Sequence, residues 1–164
     1  MLKKRCISLY VENEVGVLAK ISGLFSGKSY NLDSLTVGTT EDSTISRMTI
    51  CLTSDDQTFE QIKKQLNRSV EVIKVVDFTE IQIHMKELMF IKIWDCSKND
   101  KTDIFRIAQV YDLKVIDYDM SSFIIECTKS AEENNSIIKI LNKNYPNRIE
   151  VVRGGNVAIE ALKI

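Results

Sequence analysis

Apolar residues recur with two alternating periods along this chain, and the order of these periods constrains the fold more than any other feature. Residues 5–11 alternate between apolar and polar positions, which is typical of a half-buried strand. From residue 15 to about residue 28 the apolar side chains instead recur at helical spacing, with Leu18, Ile21 and Phe25 on one face. The chain therefore opens with a strand followed by an amphipathic helix.

The same two periods continue through the first half of the chain. Apolar and polar residues alternate again in two segments before the next helical segment. A strand rich in β-branched residues ends the first half of the chain. The predicted elements are strands over residues 30–39 and 44–53, a helix over 55–68 and a strand over 70–78. The order is βαββαβ, the ferredoxin-like arrangement.

The second half repeats this order. Strands are predicted over residues 88–94, 114–118, 123–127 and 148–152, with helices over 102–111 and 132–143. We therefore predict an α+β protein of two consecutive ferredoxin-like βαββαβ domains, over residues 1–79 and 87–164, joined by a linker over residues 80–86. The repetition is one of topology rather than sequence identity, so gene duplication is a hypothesis. The pattern assigns no packing to the apolar tail over residues 156–164.

Composition and charge exclude several classes of function. The chain is 44% hydrophobic and 27% charged, with a net charge of −1, so it lacks the concentrated basic surface of a nucleic-acid-binding protein. No apolar run approaches the roughly 20 residues that span a bilayer. The basic N-terminus leads into an alternating segment rather than a continuous apolar one, which argues against a secretory signal. We expect a cytoplasmic protein without nucleic-acid or membrane partners.

No catalytic or metal-binding constellation is visible. The four cysteines are far apart and His84 is the only histidine, so a metal site is not expected, and we interpret the cysteines as reduced, half-buried strand residues. The carboxylate pairs at 41–42 and 55–56 fall in a predicted turn and at a helix start, where solvation or capping explains them. A glycine-rich phosphate loop is also missing. We predict no catalytic residues.

Several segments, in the same order and spacing, resemble one known family. Val11–Leu18 (VENEVGVL) and Gly23–Ser26 (GLFS) resemble the opening of ACT domains, whereas Tyr30–Val37 (YNLDSLTV) and Ser46–Ile50 (SRMTI) resemble the small subunits of acetolactate synthase, also called acetohydroxyacid synthase. Lys86–Ile93 (KELMFIKI) is similar to the first strand of that family's C-terminal domain. Departures are Ser29, where a glycine is common, and the residues around Thr128 and Arg153.

This resemblance implies a regulatory rather than a catalytic role. It implies an N-terminal ACT domain, pairing with a separate catalytic (large) subunit that this chain activates, and feedback inhibition by valine or another branched-chain amino acid (leucine or isoleucine). The reaction of the large subunit condenses two pyruvates, or pyruvate with 2-oxobutyrate, in branched-chain amino acid biosynthesis. Thiamine diphosphate, Mg and FAD are expected on the large subunit, and no cofactor is expected on this chain.

The chemistry of a free amino acid indicates where the effector binds. The unpaired amides and positive dipole of a helix N-terminus attract a carboxylate, and asparagine carbonyls accept from an ammonium group. Gly16 lets the carboxylate approach the main chain without meeting a Cβ. The predicted effector-binding residues are Asn13, Glu14, Val15, Gly16, Val17, Leu18, Asn31 and Leu32. The family implies that residues 13–18 come from one ACT domain and Asn31 and Leu32 from its neighbour in a homodimer, in which the strands over residues 30–37 pair.

Each residue also has a simpler explanation. Asn13 is well placed as a helix cap, Gly16 suits tight packing of helix on sheet, and Asn31 suits a turn. Leu18 and Leu32 fit a core position by pattern alone. At the level of function, the alternative is a stand-alone ACT-domain amino-acid sensor. RNA binding by the same topology is rejected, because the third strand lacks the aromatic residues that stack on bases.

Overall fold

The chain folds as two compact units. A computed structural model describes residues 1–27 and 30–162; the helix end predicted at residue 28 and the departure at Ser29 lie outside the described residues. One unit comprises Met1–Met85 together with the end of the chain from Asn156, and the other comprises Lys86–Gly155. Each contains one four-stranded sheet with two helices, which confirms the predicted α+β class and the two βαββαβ domains.

The first unit has one antiparallel sheet in the strand order β2-β3-β1-β4. Its elements are β1 (Lys3–Glu12), α1 (Val17–Ser26), β2 (Ser34–Thr39), β3 (Ile45–Ser54), α2 (Asp56–Arg68) and β4 (Val72–Asp77). The alternation read from the sequence puts Ile7 and Leu9 on the buried side of β1, each 0% exposed. The other buried members of this core are Val11, Val17, Ile21, Phe25, Met48, Ile50, Leu52, Phe59, Ile62 and Leu66.

The second unit repeats this arrangement with the strand order β6-β7-β5-β8. The strands and helices of this half of the chain are β5 (Ile83–Ile93), α3 (Lys98–Val110), β6 (Lys114–Tyr118), β7 (Phe123–Lys129), α4 (Ala131–Asn144) and β8 (Ile149–Glu160). The first residues of β5 and the last residues of β8 group with the first unit. Alternate residues of β5 are again fully buried. The core comprises Met89, Ile91, Ile93, Cys96, Ile104, Phe123, Ile125, Cys127, Ile137, Leu141 and Tyr145.

The domain boundaries differ from those predicted. Strand β5 already begins at Ile83, inside the predicted linker 80–86, and β8 continues to Glu160 rather than ending at residue 152. From Asn156 onward the chain groups with the first unit and not with a domain over residues 87–164. The last residues of the chain group with the first unit because they are hydrogen-bonded to it and partly buried. The Ala161 amide donates to the Gln82 carbonyl at 2.9 Å, and Ala158 is 4% exposed.

The cysteines divide into two kinds. Cys6 and Cys51 are directly opposite on β1 and β3, with their Cα atoms 4.1 Å apart, and they form a disulfide. The expectation that all cysteines are reduced is therefore wrong for this pair, because the strand register brings their side chains together on one face. Cys96 and Cys127 are free and buried, and burial raises the pKa of the Cys127 thiol to about 11.

Candidate functional site

The first helix begins without a side-chain cap. Its N-cap is Gly16, which has φ 88° and ψ −10°, and no side chain bonds to the first turn, where acidic residues are also absent. A positive φ of this size is strained for residues with a Cβ, so the backbone itself requires glycine. A Cβ at Gly16 would meet nothing within 4 Å, so tight packing on the sheet does not explain this residue.

Free amides remain at this helix start. The Val17 amide donates to the Glu14 carbonyl at 3.4 Å, a long bond, and the helical ladder begins where the Lys20 amide donates to the Gly16 carbonyl at 3.0 Å. Among the residues that the structure describes, the amides of Leu18 and Ala19 have no protein acceptor. Two unpaired N–H groups at the positive end of a helix are suited to bind an anion.

Asn13 does not cap the helix, contrary to the simpler explanation of its role. Its amide donates to the Thr44 carbonyl at 2.8 Å, and its side-chain Nδ2 donates to the Ser43 carbonyl at 2.8 Å. Its Oδ1 accepts from the Ser46 hydroxyl at 3.0 Å. These bonds attach the loop before α1 to the turn between β2 and β3, and Oδ1 keeps a second lone pair for another donor.

The other predicted residues at this helix start differ in exposure. The side chain of Val17 is 5% exposed and belongs to the core, so this residue offers only its backbone to a ligand. Val15 is fully exposed and Leu18 is 45% exposed, which excludes the core position that pattern alone suggested for Leu18. Glu14 is also exposed. The site is therefore an open surface of backbone amides bordered by two apolar side chains.

Asn31 and Leu32 lie before β2, which begins at Ser34 rather than at the predicted residue 30. Asn31 is exposed and Leu32 is partly buried against the first core. The following residue anchors this segment, because the Asp33 amide donates to the Cys51 carbonyl at 2.8 Å. Within the described parts of one chain, no hydrogen bond joins Asn31 to residues 13–18.

An ion pair flanks the first helix. Lys20 donates to the Glu71 carboxylate, and this bond lowers the pKa of Glu71 to about 2. The same bond raises the pKa of Lys20. The two charges thus neutralise each other, and the attraction of α1 for an anion rests on its amides and dipole rather than on a free lysine.

Over residues 1–27 and 30–162, no group of three or more histidine, cysteine or carboxylate side chains is arranged to hold a metal ion. None of the helices in those ranges combines the length and apolar character that crossing a bilayer requires.

Comparisons with known proteins agree for both halves of the chain. The sequence model of the AHAS small subunit-like ACT domain matches residues 7–74. The model described as the small subunit of acetolactate synthase matches residues 86–162. These matches confirm the resemblance read from the sequence.

Individual relatives match along nearly the whole chain. The acetolactate synthase small subunit of Aquifex aeolicus is 38% identical over 158 residues, which cover 96% of this chain and 81% of that protein. A probable acetolactate synthase small subunit of Archaeoglobus fulgidus is 37% identical, with 95% and 96% covered. The crystal structure of the acetolactate synthase small subunit from Thermotoga maritima superimposes with a TM-score of 0.86, at 31% identity and 99% coverage of both chains.

Proposed function

Because the chain belongs to the family of acetolactate synthase small subunits, we propose that it regulates a separate catalytic subunit of acetolactate synthase. It activates this thiamine-diphosphate-dependent large subunit and makes the activity sensitive to valine or another branched-chain amino acid. The names of its relatives support the pairing, since a small subunit implies a large one. Thiamine diphosphate, Mg and FAD belong to the large subunit in this proposal.

The proposed effector site is the start of α1. The effector carboxylate accepts from the free amides of Leu18 and Ala19, and Gly16 leaves the approach open. Val15 and Leu18 border the position of the effector's apolar side chain. The observation that carries this proposal is that α2, α3 and α4 each begin with a side-chain cap, whereas α1 does not.

The ammonium group requires a carbonyl acceptor, which we assign to Asn31 of a second copy of the chain. Asn31 is exposed and has no bond to the α1 start of its own chain, as this arrangement requires. Strand β2 supports the dimer because it is an edge of the first sheet, where its unpaired main-chain groups can pair with a second β2. Such a two-fold arrangement forms two equivalent sites, each from residues 13–18 of one chain and Asn31 and Leu32 of the other.

Regulation follows if the effector binds one arrangement of the subunits better than another. The effect is then reciprocal, so the catalytic subunit changes the affinity of this chain for the effector by the same factor. This property separates a regulatory subunit from a stand-alone sensor, whose affinity has no dependence on the large subunit.

Calorimetric titration of the full chain with valine, leucine and isoleucine tests the proposal. We expect saturable binding of one or more of them, and a change in that affinity when the large subunit is added. A reconstituted activity assay then measures activation without effector and inhibition with it. Failure of all three amino acids to bind, with or without the large subunit, would overturn the proposed effector site.

A further inference from the structure

The disulfide between Cys6 and Cys51 joins β1 and β3, the two central strands of the first sheet. It links positions that are 45 residues apart in the sequence. The two cysteines differ in access, because Cys51 is 5% exposed whereas Cys6 is only partly buried. A thiolate from outside therefore reaches the bond through Cys6, and Cys51 is the end that the protein encloses.

The enclosed cysteine contacts the end of the chain. We call residues 156–160, the last part of β8, the terminal segment. The Asn156 side chain donates from Nδ2 to the Cys51 sulfur at 3.7 Å. The main chain of Asn156 is bonded to β2: its amide donates to the Ser34 hydroxyl at 2.7 Å, and its carbonyl accepts from the Thr36 hydroxyl at 2.7 Å. Asn156 is 7% exposed, so it has little room to move without losing these bonds.

Cys51 also anchors the residues that precede β2. Its carbonyl accepts from the Asp33 amide at 2.8 Å. Asp33 lies two residues after Asn31, to which we assigned the effector's ammonium group. Through its sulfur and its carbonyl, Cys51 thus contacts both the end of the chain and the segment that carries one half of the proposed effector site.

We propose that this disulfide is a reversible redox switch, whose oxidised form fixes the terminal segment and the residues before β2. The reductant is a dithiol. One of its thiolates attacks the sulfur of Cys6 and the S–S bond breaks, so that Cys51 leaves as a thiolate and takes up a proton. The second thiol attacks the resulting mixed disulfide and releases Cys6. Two electrons pass to the protein, the dithiol becomes a disulfide, and a small-molecule disulfide reverses both steps.

Reduction loosens these contacts because two thiols need more room than one disulfide. Sulfur atoms that are no longer bonded separate to van der Waals contact, and a close-packed interior accommodates this only when neighbouring groups shift. Asn156 is in contact with the Cys51 sulfur, so its bonds to β2 weaken. The far end of the terminal segment is held separately, where Arg47 donates to the Glu160 carboxylate at 3.0 Å, and stays in place.

Hydrogen exchange followed by NMR on the full chain tests the switch, with oxidised glutathione giving the oxidised form and dithiothreitol the reduced form. We expect reduction to accelerate exchange of the Asn156 and Asp33 amides by about 10-fold, the equivalent of one lost hydrogen bond. The Ala161 amide, which donates to the Gln82 carbonyl beyond the terminal segment, should exchange at the same rate in both forms.

A thiol count and two variants complete this test. Alkylation after denaturation should find two thiols in the oxidised form, those of Cys96 and Cys127, and all four cysteines in the reduced form. Cys6→Ser should exchange like the reduced wild type with or without dithiothreitol. The control Cys127→Ala, which removes a free cysteine of the second unit, should keep the redox response.

Three results would each overturn the proposal. The first is four alkylated thiols after treatment with oxidised glutathione. The second is an unchanged exchange rate at the Asn156 or the Asp33 amide on reduction. The third is equal acceleration at Asn156 and Ala161, because it would mean that the whole unit loosens rather than the contacts of Cys51.

The consequence for the effector rests on the proposed function. Calorimetry should show valine bound several-fold more weakly by the reduced form, and saturating valine should oppose reduction by dithiothreitol by the same factor, because the linkage is reciprocal. Equal valine affinity in the two forms would overturn the link between the disulfide and the effector site. If valine binds neither form, the proposed effector site fails, whereas the exchange rates still decide whether the switch exists.

Discussion

The first helices of the two units follow equivalent strands, yet they begin in opposite ways. Helix α3 has a complete capping box: the Asp100 amide donates to the Ser97 hydroxyl at 3.2 Å, and the Ser97 amide donates to the Asp100 carboxylate at 2.8 Å. Helix α1 begins at a glycine with no cap. The start of α3 thus has a capping hydroxyl and a carboxylate of its own, whereas the start of α1 has no capping side chain.

This difference indicates how one topology serves two roles. At α3, Asp100 also accepts from Arg148 at 3.2 Å, so the charge of its carboxylate is paired within the unit. This carboxylate in the first turn of α3 disfavours the approach of an external anion. At α1 an anion gains hydrogen bonds that the protein itself does not make. We therefore assign ligand binding to the first unit and a structural role to the start of α3.

Gly16→Asp tests the comparison most strongly, because it places a carboxylate at the N-cap of α1, the position that Asp55 has in α2. The new side chain competes for the free amides and strains a backbone with φ 88°. We expect valine affinity to fall by about 100-fold, the equivalent of two charge-assisted hydrogen bonds, while activation of the large subunit persists. Calorimetry and the reconstituted assay measure the two effects.

Gly23→Ala is the matched control for this substitution. It adds a Cβ in the same helix, where nothing lies within 4 Å, and valine affinity should not change. Wild-type affinity in Gly16→Asp would refute the assignment of the effector site to α1.

Glu87→Gln probes the internal charges of the second unit. Glu87 is 4% exposed and accepts from Arg153 at 2.8 Å and 2.7 Å through both carboxylate oxygens. The substitution leaves the guanidinium without its counter-charge, and we expect the free energy of unfolding to fall by about 2–3 kcal/mol. Urea denaturation measures it.

Asp77→Asn in the first unit is the corresponding control. The pair of Asp77 with Lys63 is more exposed, with side chains 28% and 20% accessible, so its loss should cost less than about 1 kcal/mol. If both substitutions lowered the free energy of unfolding equally, the buried pair of Glu87 and Arg153 would be no more stabilising than the exposed pair of Asp77 and Lys63.

Ser97→Ala removes the cap of α3 and makes its start more like that of α1. Losing an N-cap hydroxyl should reduce the free energy of unfolding by about 1 kcal/mol. Valine affinity should stay at the wild-type value, because the proposed effector site is at the start of α1. A clear change in valine affinity, measured by the same calorimetry, would contradict the division of roles between the two helices.

Lowering the pH should affect the two helix starts differently, with the smallest effect of the series. The bond from the Ser97 amide lowers the pKa of Asp100 below its ordinary 3.8, so the stability from this cap is present above that value and lost as the pH falls through the lowered pKa. Amide exchange at the start of α3 should therefore accelerate in strong acid.

The start of α1 has no capping carboxylate to protonate, and Glu71 beside it, with a pKa of about 2, stays ionised at roughly pH 3. Hydrogen exchange followed by NMR compares the two segments as the pH falls. Greater acceleration at α1 than at α3 would run against this account.

The periodicities predicted the elements well and their ends poorly. The strand predicted over residues 114–118 matches β6 (Lys114–Tyr118). The sequence pattern predicts the start of α1 at residue 15, two residues before its observed start at Val17, because asparagine before an apolar run is a typical cap signal. In the structure Asn13 bonds to residues 43–46 instead, and such long-range partners are not visible in a local pattern.

The candidate site was predictable only in part. The family resemblance selected Gly16, and the structure adds the physical reason, a positive φ with free amides beyond it. Arg47 lies within the family-like segment Ser46–Ile50, but nothing in its sequence neighbourhood indicates its partner Glu160, 113 positions away. The pairing of Cys6 with Cys51 likewise depends on the register of β1 against β3.

The sequence by itself determined the order of strands and helices and the family, because periodicity and motifs are properties of neighbouring residues. The tertiary structure decided which amides stay free at α1, which cysteines meet, and that the chain's last strand returns to the first unit. These outcomes depend on contacts between residues that are far apart in the sequence. Such contacts are set by the register in which the strands pair, which a local pattern does not contain.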